Sequence, residues 1–147
     1  MEEIAHSPDQ TVLTFKSNSV IGVTPSLYMT TTSIIARLQI EGIHRWQNCP
    51  IEEVSYLRDY HRHVFHIIGK AYVKHSDRDI EFIQLTHEIR RYLLSKYYTQ
   101  KYSCCFFDNN SCEMLAHELS HQFDLYECEV NEDGESGAIV QRGPVKV

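Results

Sequence analysis

The chain has 147 residues, 42% of them hydrophobic, which suits one domain with a sizeable core. A net charge of −6 supplies no global basic field to gather a nucleic-acid backbone, so nucleic acid is not an expected partner. No run of 18 apolar residues is present and MEEIAHSPDQ is too polar and acidic for a signal or transit peptide, so the expectation is a cytoplasmic protein with no membrane partner. Five cysteines, clustered only at Cys104 and Cys105, form neither a disulfide framework nor a zinc ribbon, and reduced thiols are expected.

Residues 1–33 are rich in Ser, Thr and Pro and read as an N-terminal extension, with edge-strand pieces such as TVLTF. SIIARLQIEGIH, from residue 33, alternates as a strand, and HVFHIIGKAYV (63–73) makes a second. CPIEEVSYLRDY connects them, with one helical turn. DRDIEFIQLTHEIRRYLLSKY places Phe82, Leu85, Ile89, Tyr92 and Leu93 at helical spacing, so a long amphipathic helix is expected. TQKYSCCFFDNN breaks that pattern, and SCEMLAHELSHQF opens a second helix, with Asn110 as its cap and Glu113 reaching back. YECEVNE then sets Tyr126, Cys128, Val130 and Glu132 on one strand face, DGESG turns, AIV is a last short strand, and residues 143–147 form a flexible tail. The order is ββααββ, an α+β fold whose main domain spans residues 34–142.

Two histidine pairs bear on function. HELSH (117–121) matches H-E-x-x-H, in which two helical histidines and a glutamate serve a zinc protease. On a helical wheel, however, Cys112, Leu115, Ala116 and Phe123 fall within roughly 60° of Leu119 while His117 and His121 fall nearly opposite. The stripe that must find a core faces away from the pair, which reads as a solvated face. In HRH, by contrast, His61 and His63 project from one face of a strand, and antiparallel pairing can bring His44 alongside. Three imidazoles without cysteine suit a zinc site with an open fourth position. His66, five residues from His61, falls on the opposite strand face and is expected to pack beneath the helices.

From these segments the chain resembles the 6-pyruvoyl-tetrahydropterin synthase and 6-carboxy-tetrahydropterin synthase family. ARLQIEGIHRW is similar to its first strand, which ends in a zinc histidine, and HRHVF to its His-Gly-His. IEFIQL resembles its Asp-Phe-x-x-Leu, NSCEMLA its Pro-Thr-x-Glu-x-Leu-Ala, and ECEVNED its closing strand, over about residues 34–140. The resemblance implies the T-fold: an antiparallel ββααββ sheet with two helices on one face, oligomerising into a barrel with ligand sites between subunits. It further implies zinc on His44, His61 and His63, recognition of a pterin, purine or related nucleotide by Glu132, and ligand contacts at Ser111 and Cys112. A carboxylate can accept two parallel N–H bonds from such a ring.

Four departures bear on the lyase activity that the family implies. Arg62 replaces the family's glycine and Glu81 its helix-one aspartate; both are tolerable. The family's cysteine before His-x-His has no counterpart in SYLRDY, and its Asp-His relay none in KYYTQKYSCCFFDNN, so no catalytic residue is assigned. A site that keeps metal and anchor without a proton relay suits a module that sequesters or senses a purine-like molecule.

Overall fold

The computed structural model describes residues 30–143; the expected extension, apart from its last residues, and the tail after Gly143 lie outside them. Six strands form one mixed sheet: β1 (Thr32–His44), β2 (His61–Val73), β3 (Tyr98–Thr99), β4 (Cys104–Asp108), β5 (Glu127–Glu132) and β6 (Ser136–Gln141), in the spatial order β3-β4-β1-β2-β5-β6. Two α-helices, α1 (Phe82–Tyr97) and α2 (Cys112–Gln122), and a 3-10 segment at Glu52–Arg58 complete the described architecture. None of these helices is long and apolar enough to cross a membrane.

The strand alternation explains the layering. Ala36, Leu38 and Ile40 of β1 face the same way as Phe65, Ile67 and Ala71 of β2 and Cys128 and Val130 of β5, and all are buried. The helices cover this face with Leu85, Ile89 and Leu93 from α1 and Leu115, Ala116 and Leu119 from α2. Each helix begins where a side chain satisfies an orphan N–H: Glu81 accepts from Gln84 N, and Ser111 accepts from Met114 N. The cap of α2 is thus Ser111, one residue beyond the expected Asn110, because the Asn110 carbonyl is engaged elsewhere (below).

The sheet departs from the expected antiparallel one. The segment TQKYSCCFFDNN is not merely a break; it supplies the second residue of β3 and all of β4, and β4 lies parallel to β1 with Gly42 beside Cys105. Its apolar run CCFF buries Cys105 and Phe107 against the core and Cys104 on the opposite face, and a run that short carries no decisive period in sequence. Gly42 permits the approach, since a Cβ there would stand 2.3 Å from Phe107 Cε2. His66 also departs from expectation: it pairs with Gln39 and Asn131 on the face away from the helices and sits beside the Gly134 turn rather than beneath α1 and α2.

Candidate metal centre

The same parity that builds the core carries the site. His44 pairs with His61 at the end of β1 and β2, His63 follows two residues on, and Glu132 pairs with Phe65. All four side chains therefore rise from the helix-covered face, at the sheet end beyond the core. Phe65 forms the floor, its ring centroid 5.1 Å from His44 and 5.9 Å from His63, with Phe107 5.0 Å behind it.

One nitrogen from each of His44, His61 and His63 lies within 4.8 Å of the other two, and these residues can hold a metal ion. Their outer nitrogens are all engaged. His44 Nδ1 is 3.0 Å from the Asn110 carbonyl, His61 Nδ1 is 2.7 Å from the Asp59 carbonyl, and His63 Nδ1 is 2.6 Å from Asp133 Oδ2. A carbonyl only accepts, so in the neutral rings of His44 and His61 Nδ1 carries the proton and Nε2 keeps its lone pair. The Asp133 carboxylate selects the same tautomer in His63. This is the outer arrangement that orients metal-binding imidazoles. Nε2 of both His44 and His61 is buried and lacks a hydrogen bond of good geometry, as expected of donors awaiting a cation.

Glu132 enters this cluster. Its Oε1 is 3.2 Å from His44 Nε2, its Oε2 is 3.3 Å from His63 Nε2, and the Cys112 thiol donates to Oε1 at 3.6 Å. The close approach of His44, together with the positive fields of His63 and His44, outweighs burial and holds the Glu132 carboxyl below its usual range. Burial opposes an imidazolium at His44, but Glu132 and the Asn110 carbonyl prevail and raise its pKa. The bond from His63 keeps Asp133 low. Burial first, then Glu132, pushes the Cys112 thiol up to about 12.

A cavity of about 540 Å³ adjoins the cluster, lined by His44, His61, Ser111, Cys112, Glu132 and Trp46 among others. The expected ligand contacts Ser111 and Cys112 are thus brought together with the histidines. Ser111 spends its hydroxyl oxygen on capping α2. Arg62, where the resembling family has glycine, points to the other face and pairs with Glu41 at 2.7 Å, so the substitution leaves the site clear.

Asn110 was expected only as a helix cap, and neither Asp59 nor Asp133 was singled out for the site. The first two act through backbone carbonyls, to which residue type is silent. Asp133 was legible only as one more turn acid; its φ of 56° places its carboxylate so that Oδ1 accepts from Val64 N at 2.9 Å while Oδ2 holds His63.

The helical pair is built differently. His117 and His121 are exposed with ring centroids 4.5 Å apart, as the wheel placed them, and no third donor joins them among the described residues. Glu118, the base a protease would need, faces α1, where it accepts from Tyr92 Oη at 2.7 Å, Tyr97 Oη at 2.6 Å and Lys96 Nζ at 2.7 Å. At the opposite end of β1 and β2, a cavity of about 360 Å³ holds His75, Asp77 and Asp79 without a convergent donor set. Comparison of the sequence with protein-family models and with curated proteins returned no match.

Proposed function

We propose that the protein is a zinc-binding T-fold protein related to the 6-pyruvoyl- and 6-carboxy-tetrahydropterin synthases, and that it binds a pterin, purine or related nucleotide in the cavity beside His44, His61 and His63. The observation that carries this reading is the convergence of three imidazoles, each held by its outer nitrogen. A neutral three-histidine set without thiolate is the donor chemistry of zinc sites, and zinc there would polarise a ligand oxygen. The helix-covered sheet and the strand parity of Glu132 support a ββααββ unit into which β3 and β4 are inserted between the helices. Assembly into a barrel, with sites between subunits, would cover Ile35, Tyr72 and Ile139, which stand exposed on the helix-free face.

Binding without turnover is favoured over lyase chemistry by the state of the cysteines. Cys49 is turned into its own loop, its thiol donating to the Ile51 and Val54 carbonyls, and Cys104 and Cys105 are buried away from the cavity. Cys112, on the cavity wall, donates to Glu132. No nucleophile or relay of the family type stands before His61.

The test is elemental analysis of wild type, His61→Ala/His63→Ala and His117→Ala/His121→Ala, purified without chelators. Stoichiometric zinc in wild type, lost only with the strand pair, is expected; zinc lost only with the helix pair would move the centre to α2. Thermal-shift screening of pterins and purine nucleotides on the zinc-loaded protein follows, since a ligand at 100 times its Kd stabilises by about 2.7 kcal/mol. Efficient turnover of a pterin precursor would end the binding-module reading.

A further inference from the structure

We propose that Glu132 is itself a metal donor, so that the protein supplies four side chains, His44, His61, His63 and Glu132, and closes the fourth position from within. This rests on the reading of the histidines as a metal centre, but it reassigns the carboxylate, which the family resemblance gives to the ligand's ring.

The reason is electrostatic. Backbone carbonyls leave His44 and His61 with inward lone pairs at Nε2, and Asp133 does the same for His63. An ionised carboxylate has only acceptors, yet Glu132 sets one oxygen 3.2 Å from His44 Nε2 and the other 3.3 Å from His63 Nε2. Lone pairs held against lone pairs repel unless positive charge lies between them. A proton can bridge one such contact, whereas a divalent cation held by the histidines answers both. Two donors each about 2.0–2.2 Å from a tetrahedral zinc stand roughly 3.3–3.6 Å apart, close to the separations of Glu132 from His44 and His63, which involve its two different oxygens; to join a cation shared with His61, the carboxylate has only to turn one oxygen toward it.

The fold commits the carboxylate to this position. Glu132 pairs with Phe65, the strand residue just past His63 on the same face, and the Cys112 thiol steadies Oε1 from the side of α2. A carboxylate kept for a nucleobase would instead offer both oxygens to the cavity. A ligand that takes both oxygens of Glu132 would therefore have to draw it off the metal, so the two-point recognition of a ring and the metal compete for one side chain.

The experiment measures zinc affinity by competition with a chromophoric chelator for wild type, Glu132→Gln, Glu132→Ala and His61→Ala, each verified as folded by circular dichroism. In parallel, the visible spectra of Co²⁺-loaded wild type and Glu132→Ala are titrated with imidazole. Glu132→Gln and Glu132→Ala should each weaken zinc by at least about 100-fold, more than loss of an outer orienting group does. The wild-type Co²⁺ spectrum should ignore imidazole, and that of Glu132→Ala should shift as imidazole takes the vacated position. Zinc affinity within about twofold of wild type in Glu132→Gln, or a wild-type spectrum that responds to imidazole, overturns the proposal while leaving the three-histidine centre standing. Absence of zinc binding in wild type, or its persistence in His61→Ala at full affinity, overturns both.

Discussion

Among its histidines the protein has two closely spaced pairs, and their difference shows what lets such a pair belong to a group that could hold a metal ion. On β2, His61 and His63 are two residues apart, facing the same way, and each outer nitrogen is tied to an oxygen, of Asp59 just before the strand and of Asp133 after β5. On α2, His117 and His121 are four apart, also side by side, and match the better-known motif. The strand pair stands at the rim of the core, with His44 and Glu132 closing over it. The helix pair stands opposite the buried stripe of Leu115, Ala116 and Leu119, and no third donor among the described residues joins it. Spacing brings two donors together in both places; only burial and outer hydrogen bonds fix which nitrogen points where.

The contrast can be sharpened beyond the paired alanine variants. The largest effect is expected from Asp133→Asn. An amide N–H facing His63 Nδ1 would reverse the ring's tautomer and remove its inward lone pair, so zinc affinity should fall about 10–100-fold by chelator competition. Unchanged affinity would mean that the 2.6 Å contact does not orient the ring.

Glu118→Gln should act on stability and leave zinc untouched. It weakens hydrogen bonds from two tyrosines and a lysine between α1 and α2, a loss of about 1–3 kcal/mol in urea denaturation at neutral pH. Burial pushes the Glu118 carboxyl up, but the bonds from Lys96, Tyr97 and Tyr92 together prevail and hold it below 4.5. Its folded pKa lies below its unfolded one, so this stabilisation is present above about 4.5 and is lost as pH falls through the folded value. The gap between wild type and Glu118→Gln should therefore close in acid; a gap that persists there would mean that the carboxylate's charge is not what binds the helices. Loss of zinc in this variant would revive the protease arrangement.

The smallest effect belongs to His117→Ala/His121→Ala. Two exposed side chains away from the core should change unfolding free energy by no more than about 0.5 kcal/mol each, measured by the same denaturation. A larger loss would show that the pair packs against something outside the described residues.

Much of the fold was legible in local pattern. Leu85, Ile89 and Leu93 recur at helical spacing and are the buried face of α1; the stripe around Leu119 is likewise the buried face of α2. Cys128, Val130 and Glu132 share a face, as alternation requires. The second helix began one residue late because Asn110 and Ser111 are both good caps, and the choice went to the residue whose neighbour's carbonyl was needed by His44. β4 escaped notice because CCFF is short, unbroken and equally at home in a strand or a buried turn; its parallel pairing with β1 depends on Gly42, 62 residues before its partner region's start at Cys104, where a larger side chain would meet Phe107.

What the sequence by itself determined is periodicity: which face of each helix is apolar, which strand residues share a side, and hence that His61 and His63 stand together with Glu132 on the parity of the core. These are properties of neighbours along the chain, set by 3.6-residue and 2-residue repeats. Tertiary structure decided the rest. Register between β2 and β5 sets Glu132 beside His63, and the loop from β4 to α2 brings the Asn110 carbonyl to His44, because contacts made by backbone groups and by strands far apart in sequence leave no local trace.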